Sequence, residues 1–126
     1  MYRGVSRSES EPSTGTRALI GNPIYMSPEH IQTDTRGARS DVFSLGIIVY
    51  EALTGSRPFA ADTPMAELYA IVTIEPPLPS ARRREIPEAV DRILLECLSK
   101  NPEQRPPADE LVRRLEALRS NFRPNE

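Results

Sequence analysis

The sequence predicts an all-α fold, and three observations carry that prediction. The run from Asp41 to Leu53 is apolar nearly throughout, two amphipathic repeats close the chain, and no alternating stretch of strand length occurs. In the central run Val42, Phe43, Leu45, Ile47, Ile48, Val49, Tyr50, Ala52 and Leu53 leave no polar face, so this helix is expected to be surrounded by protein. Gly55, just after Thr54, supplies a C-terminal stop.

The flanking elements follow in order. Residues 1–18 are rich in Ser, Thr, Arg and Glu, lack an apolar period and read as a flexible tail. Leu19 to Met26 is interrupted at Gly21 and Pro23 and reads as an extended loop. Ser27 caps a short helical turn with Pro28 at its first position. Thr63-Pro64 opens a helix to about Ile74, and "EPPLPSARRREIP" is a proline-rich connector. Val90, Ile93, Leu94, Cys97 and Leu98 recur at i, i+3, i+4, i+7 and i+8 before Asn101-Pro102. Leu111, Leu115 and Leu118 repeat the pattern after Pro106-Pro107, and residues 120–126 form a polar tail.

Composition narrows the function classes. A chain of 126 residues is one domain or part of one. With 16 basic and 18 acidic residues the net charge is -2, which gives no electrostatic case for nucleic acid or an anionic membrane. One Cys and one His exclude a disulfide framework and a zinc site built from this chain alone, so no metal is expected. No apolar run reaches the roughly 18 residues of a spanning helix, and the polar Met1 end shows no signal peptide; a cytoplasmic location without a membrane segment is the expectation.

The chemistry-bearing residues are few. The sequence contains no G-x-G-x-x-G, no G-x-x-x-x-G-K-[ST] and no G-x-S-x-G. His30, the only imidazole, reads as a surface residue, and Cys97 as a small core residue on the apolar face of its helix. Glu29, Asp41 and Arg105 resist so plain a reading. An acid beginning a buried helix caps it and favours its dipole, which suffices for Asp41. A charged carboxylate in a core needs a partner, and Arg105, between Pro102 and Pro106, is a good bidentate one. Spacing alone leaves open whether Glu29 meets it. Pro76 and Pro79 have P-x-x-P spacing, but the ordinary reading is an inter-helix loop, and Arg82-Arg83-Arg84 reads as solvated surface.

Three ordered motifs, "GNPIYMSPE", "RSDVFSLGIIVYEALTGSRPF" and "LSKNPEQRP", resemble the C-terminal lobe of a bacterial eukaryotic-like Ser/Thr protein kinase over about residues 14–118. The resemblance implies a helical lobe of the kinase-like fold over residues 19–119, with the N-terminal β lobe absent. Gly21, Asn22, Pro23 and Tyr25 would then belong to the loop that positions the substrate, and Thr14 and Thr16 to the segment commonly phosphorylated. Pro28-Glu29 corresponds to the end of the family's Ala-Pro-Glu, Asp41 to the acid that hydrogen-bonds the catalytic-loop backbone, and Arg105 to the arginine that pairs with that glutamate. Asn22 departs from the usual Thr and puts normal acceptor positioning in doubt. The complete family domain is an ATP-dependent transferase using magnesium, yet this sequence has no His-Arg-Asp, no Asp-Phe-Gly and a single Lys, Lys100. No catalytic residue and no cofactor are therefore expected in this chain. The readings are a partial kinase domain, inactive alone, whose partners are a protein substrate or the missing N-terminal lobe, and alternatively a non-catalytic kinase-like protein-binding module.

Overall fold

The computed structural model describes residues 23–121, and their regular structure is entirely helical. A single 3-10 turn, Pro23–Tyr25, replaces the end of the expected extended loop. Helix α1, Pro28–Thr33, starts where its cap chemistry places it: Ser27 Oγ accepts from the His30 N–H at 3.3 Å. It ends at Asp34, held left-handed at φ 57, a conformation that Asp tolerates better than most residues. Helix α2 runs Ala38–Thr54, from Gly37 as N-cap to Gly55 at φ 84. Helix α3, Pro64–Thr73, is capped by Thr63 Oγ1, which accepts from the Ala66 N–H at 3.0 Å.

The proline-rich connector is more structured than its composition suggests. Pro79 opens a short helix, α4, Pro79–Arg82, and both Pro76 and Pro79 are buried rather than presented as a polyproline ligand. Buried Asp91 accepts from the Ser80 backbone N–H at 2.9 Å and from its hydroxyl at 2.5 Å, tying α4 to helix α5, Glu88–Cys97. Arg82 is not merely solvated. It donates to Ser56 Oγ and to the Arg57 carbonyl and lies over the Tyr50 ring, while Arg83 donates to the Leu53 carbonyl near the end of α2. A Pro102–Gln104 3-10 turn leads to the last helix, α6, Ala108–Asn121.

Helix α2 organises the packing. Phe43, Ile47 and Tyr50 join Phe59, Ile71, Leu94 and Leu98 in the main core. Val42 joins Ile93, Cys97 and Leu111 in a second cluster under α6. The expectation that α2 is enclosed on every side needs correction among the described residues. Asp41, Leu45, Ile48 and Ala52 form one continuous exposed stripe, with Leu45 43% and Ile48 50% exposed. Hydrophobicity registers which residues favour burial; it does not say which neighbours are present to bury them.

The α2–α5 contact is close because Gly46 permits it. A Cβ at Gly46 would lie 3.0 Å from Cys97 Cβ and 3.1 Å from Leu98 Cδ2. Gly46→Ala gains roughly 1 kcal/mol of helix propensity, and this crowding offsets it. Gly46→Val adds two methyl groups to the same gap, and a net loss of about 2–3 kcal/mol is expected. Urea denaturation of the two variants checks the order; an unchanged midpoint for Gly46→Val would show that α5 moves away freely.

Candidate functional site

The segment from Tyr25 to Glu29 lies against α2, and polar side chains hold it there. Tyr25 donates its phenol O–H to Glu51 Oε1 at 3.1 Å, and Ser44 Oγ donates to the Tyr25 carbonyl at 2.5 Å. Burial, then the bond to Glu51, raises the Tyr25 phenol above its ordinary value. Four residues beyond Tyr25, Glu29 meets Arg105. Nη1 lies 2.8 Å from Glu29 Oε2 and Nη2 lies 2.9 Å from Oε1, a parallel two-bond fork. Ser40 Oγ donates to Oε2 as well, at 2.6 Å.

Arg105 is one of the most deeply buried side chains, and its charge is fully served. Its Nε donates to the Ser99 carbonyl, Nη1 also to the Arg39 carbonyl, and Nη2 also to the Lys100 carbonyl. Arg39 returns the contact by donating to the carbonyls of Pro102 and Arg105. The guanidinium rests over the Phe43 ring, with Cζ 4.9 Å from its centroid. Glu29 responds accordingly. Burial pushes its carboxyl up, but the bonds from Arg105 and Ser40 outweigh that and hold it at about 2.

A second pair supports the same side of the molecule. Glu67 of α3 is buried, and Arg57 meets it through Nε at 2.8 Å and Nη2 at 3.1 Å. Lys100 donates to the Ala70 and Ile71 carbonyls near the end of α3 and sits 4.0 Å from the Phe59 centroid. Burial pulls its ammonium down to about 8. Cys97 lies in the core, where burial pushes its thiol up to about 11, the opposite of an activated nucleophile. His30 contacts Asp34 at 3.4 Å and approaches no nucleophile among the contacts present.

The structure therefore brings Glu29 and Arg105 together and sets Asp41 apart. Asp41 neither opens nor caps α2: the helix begins three residues earlier, at Ala38, with Gly37 as N-cap. Its carboxylate is exposed and meets Arg36 at 3.1 Å, a surface pair worth little by itself. Pro23 opens the 3-10 turn that carries Tyr25. Gly21, Asn22, Thr14 and Thr16 lie outside the described residues. Sequence reasoning missed Ser40, Ser44 and Glu51, which recur at i, i+4 and i+11 and share one face of α2. That spacing was the available signal, hidden by counting only the apolar residues around them.

Among the described residues no group of His, Cys, Asp and Glu is arranged to hold a metal ion, and the sole Lys is occupied by α3 carbonyls. No described helix is long and apolar enough to cross a membrane.

Known proteins match the same stretch. The family model "Protein kinase domain" matches residues 4–115. The serine/threonine-protein kinase PknB of Mycobacterium tuberculosis is 42% identical over 105 residues, covering 81% of this chain and 17% of that protein. The serine/threonine-protein kinase PksC of Streptomyces coelicolor is 43% identical over 98 residues, covering 78% of this chain and 18% of that protein. A probable serine/threonine-protein kinase of Clostridium acetobutylicum is 31% identical over 121 residues, or 94% of this chain and 18% of its own length. The chain thus spans less than a fifth of the length of these relatives. An ion pair joining α1 to the turn before α6, a long helix threading the core and a family match over most of the sequence lead to one assignment: the chain belongs to the protein kinase domain family.

Proposed function

We propose that these residues are the substrate-side part of a Ser/Thr protein kinase domain. In the complete domain, ATP with magnesium would supply the transferred γ-phosphoryl group; here the polypeptide positions the acceptor protein. The observation that carries the reading is the Glu29–Arg105 fork, which fixes the segment containing Tyr25 to the helical body. Phosphoryl transfer depends on positioned groups and electrostatic stabilisation, so one half of the arrangement contributes little without the other. The chain alone neither binds ATP–magnesium tightly nor transfers phosphate, and it acts beside its remaining domain in the cytoplasm.

Calorimetric titration of the purified chain with ATP–magnesium, together with labelled ATP and a generic Ser/Thr substrate, tests this. The expected outcome is no saturable heat at micromolar nucleotide and no label transfer. Micromolar binding, or turnover abolished by a point substitution within residues 14–118, would overturn it. The alternative, a non-catalytic protein-binding module, draws on the exposed Leu45 and Ile48 of α2 and on Met65 and Tyr69 of α3. It requires a saturable protein complex that Tyr69→Asp or Ile48→Asp abolishes while the fold persists; a complex untouched by both would reject it.

A further inference from the structure

The Glu29–Arg105 fork fixes one end of the Tyr25–Glu29 segment, but two hydroxyls of α2 act on it directly. Ser40 is 4% exposed and its Oγ has two partners: it accepts from the Gly37 N–H at 3.1 Å and donates to Glu29 Oε2 at 2.6 Å. One turn later, Ser44 Oγ donates to the Tyr25 carbonyl at 2.5 Å. Tyr25 in turn donates to Glu51, on the same face of α2. Residues four apart along a helix are neighbours on its surface, so the two hydroxyls are spaced to grip a short segment at both ends.

We propose that Ser40 and Ser44 are positioning residues, and that α2 sets the register of the Tyr25–Glu29 segment through their two hydroxyl protons. Ser40 holds the carboxylate of Glu29 while satisfying the N-terminal amide of α2; Ser44 holds the backbone at Tyr25. Helix capping alone does not need the first of these protons, since the Gly37 N–H requires only an acceptor. The proposal rests on the reading of this segment as substrate-side only for its biological purpose; the positioning itself is a property of the chain.

Ser40→Asn and Ser40→Asp separate positioning from capping, because the two side chains match in size and both offer Gly37 an acceptor. Only Asn retains a donor for Glu29, while Asp sets a second carboxylate against it. Amide hydrogen exchange of the whole chain at neutral pH reads the result at His30 and Ile31, whose N–H groups bond Ser27 at the start of α1. Exchange there is expected to accelerate about ten- to a hundred-fold in Ser40→Asp relative to Ser40→Asn, the size of one lost bond to a charged group. Ser44→Ala is expected to accelerate the same amides, with the N–H of Leu98, the C-cap of α5, unchanged in every variant. Equal behaviour of Ser40→Asn and Ser40→Asp, or parallel loss of protection at Leu98, would overturn the proposal. Should Ser40→Asp fail to fold, Ser44→Ala decides by the same amides. None of these readouts involves phosphate transfer, so they stand or fall separately from the kinase reading.

Discussion

Arg105→Ala is expected to lower the unfolding free energy by about 3–5 kcal/mol, and Glu29→Ala by somewhat less. The Arg105 side chain is 0% exposed and that of Glu29 17%, so removing either leaves its partner charged where water cannot fully replace the lost bonds. The losses differ in kind. Without Glu29, Arg105 keeps its carbonyl acceptors at Ser99, Arg39 and Lys100. Without Arg105, those carbonyls lose a shared donor as well, and the chain around Pro102 and Pro106 loses what gathers it. Arg105→Ala is therefore the more damaging change. Thermal denaturation of both variants is the measurement; unchanged midpoints would show that the pair contributes nothing net.

The same pair makes stability depend on acid. The folded Glu29 carboxyl titrates at about 2 against an ordinary 4.5, so below the ordinary value the unfolded chain binds more protons than the folded one. Its contribution, about 3 kcal/mol, is complete above pH 4.5 and disappears as pH falls toward 2. Glu29→Gln keeps the shape and removes the titration. Stability curves for wild type and Glu29→Gln should converge as pH falls through that window. Curves that stay parallel would assign the acid sensitivity to other groups.

What was legible in the sequence divides along a physical line. Caps are local chemistry: Ser27-Pro28, Thr63-Pro64 and Gly55 mark helix ends through bonds to residues only a few positions away, and the helices begin and end there. The amphipathic spacing of α5 and α6 was likewise visible, because a helix repeats its face every few residues. The Glu29–Arg105 fork joins positions 76 apart, and no periodicity relates them; only the motif resemblance put them together. The connector concealed α4, since proline signals a break in a helix and also a favourable first turn. Helix α2 misled most. Its apolar run was plain, but Ser40, Ser44 and Glu51 on one face and the exposed Leu45 and Ile48 on another require knowing what lies opposite each side.

Phe43→Ala is expected to cost about 3–5 kcal/mol, from the apolar burial lost together with the cavity left behind. Phe43 is fully buried and stacks against Phe59, with ring centroids 6.0 Å apart and planes within 3°. Its ring also lies 4.9 Å from Arg105 Cζ and 6.0 Å from Lys100 Nζ, so the core meets two cations there. A buried cation over an aromatic face gains roughly 0.5–2 kcal/mol, which no aliphatic side chain supplies. Phe43→Leu separates the two contributions, because it keeps most of the apolar volume and removes the ring. Its cost should be smaller, about 1–2 kcal/mol. A second effect follows from geometry: with the ring gone, the guanidinium loses the surface that aims it at Glu29. The acid transition of Glu29 should then move up from about 2 toward its ordinary 4.5 in Phe43→Leu. Carboxyl titration by NMR reads that shift directly. An unmoved transition, with stability lowered by packing alone, would show that the ring fills space under Arg105 without orienting it.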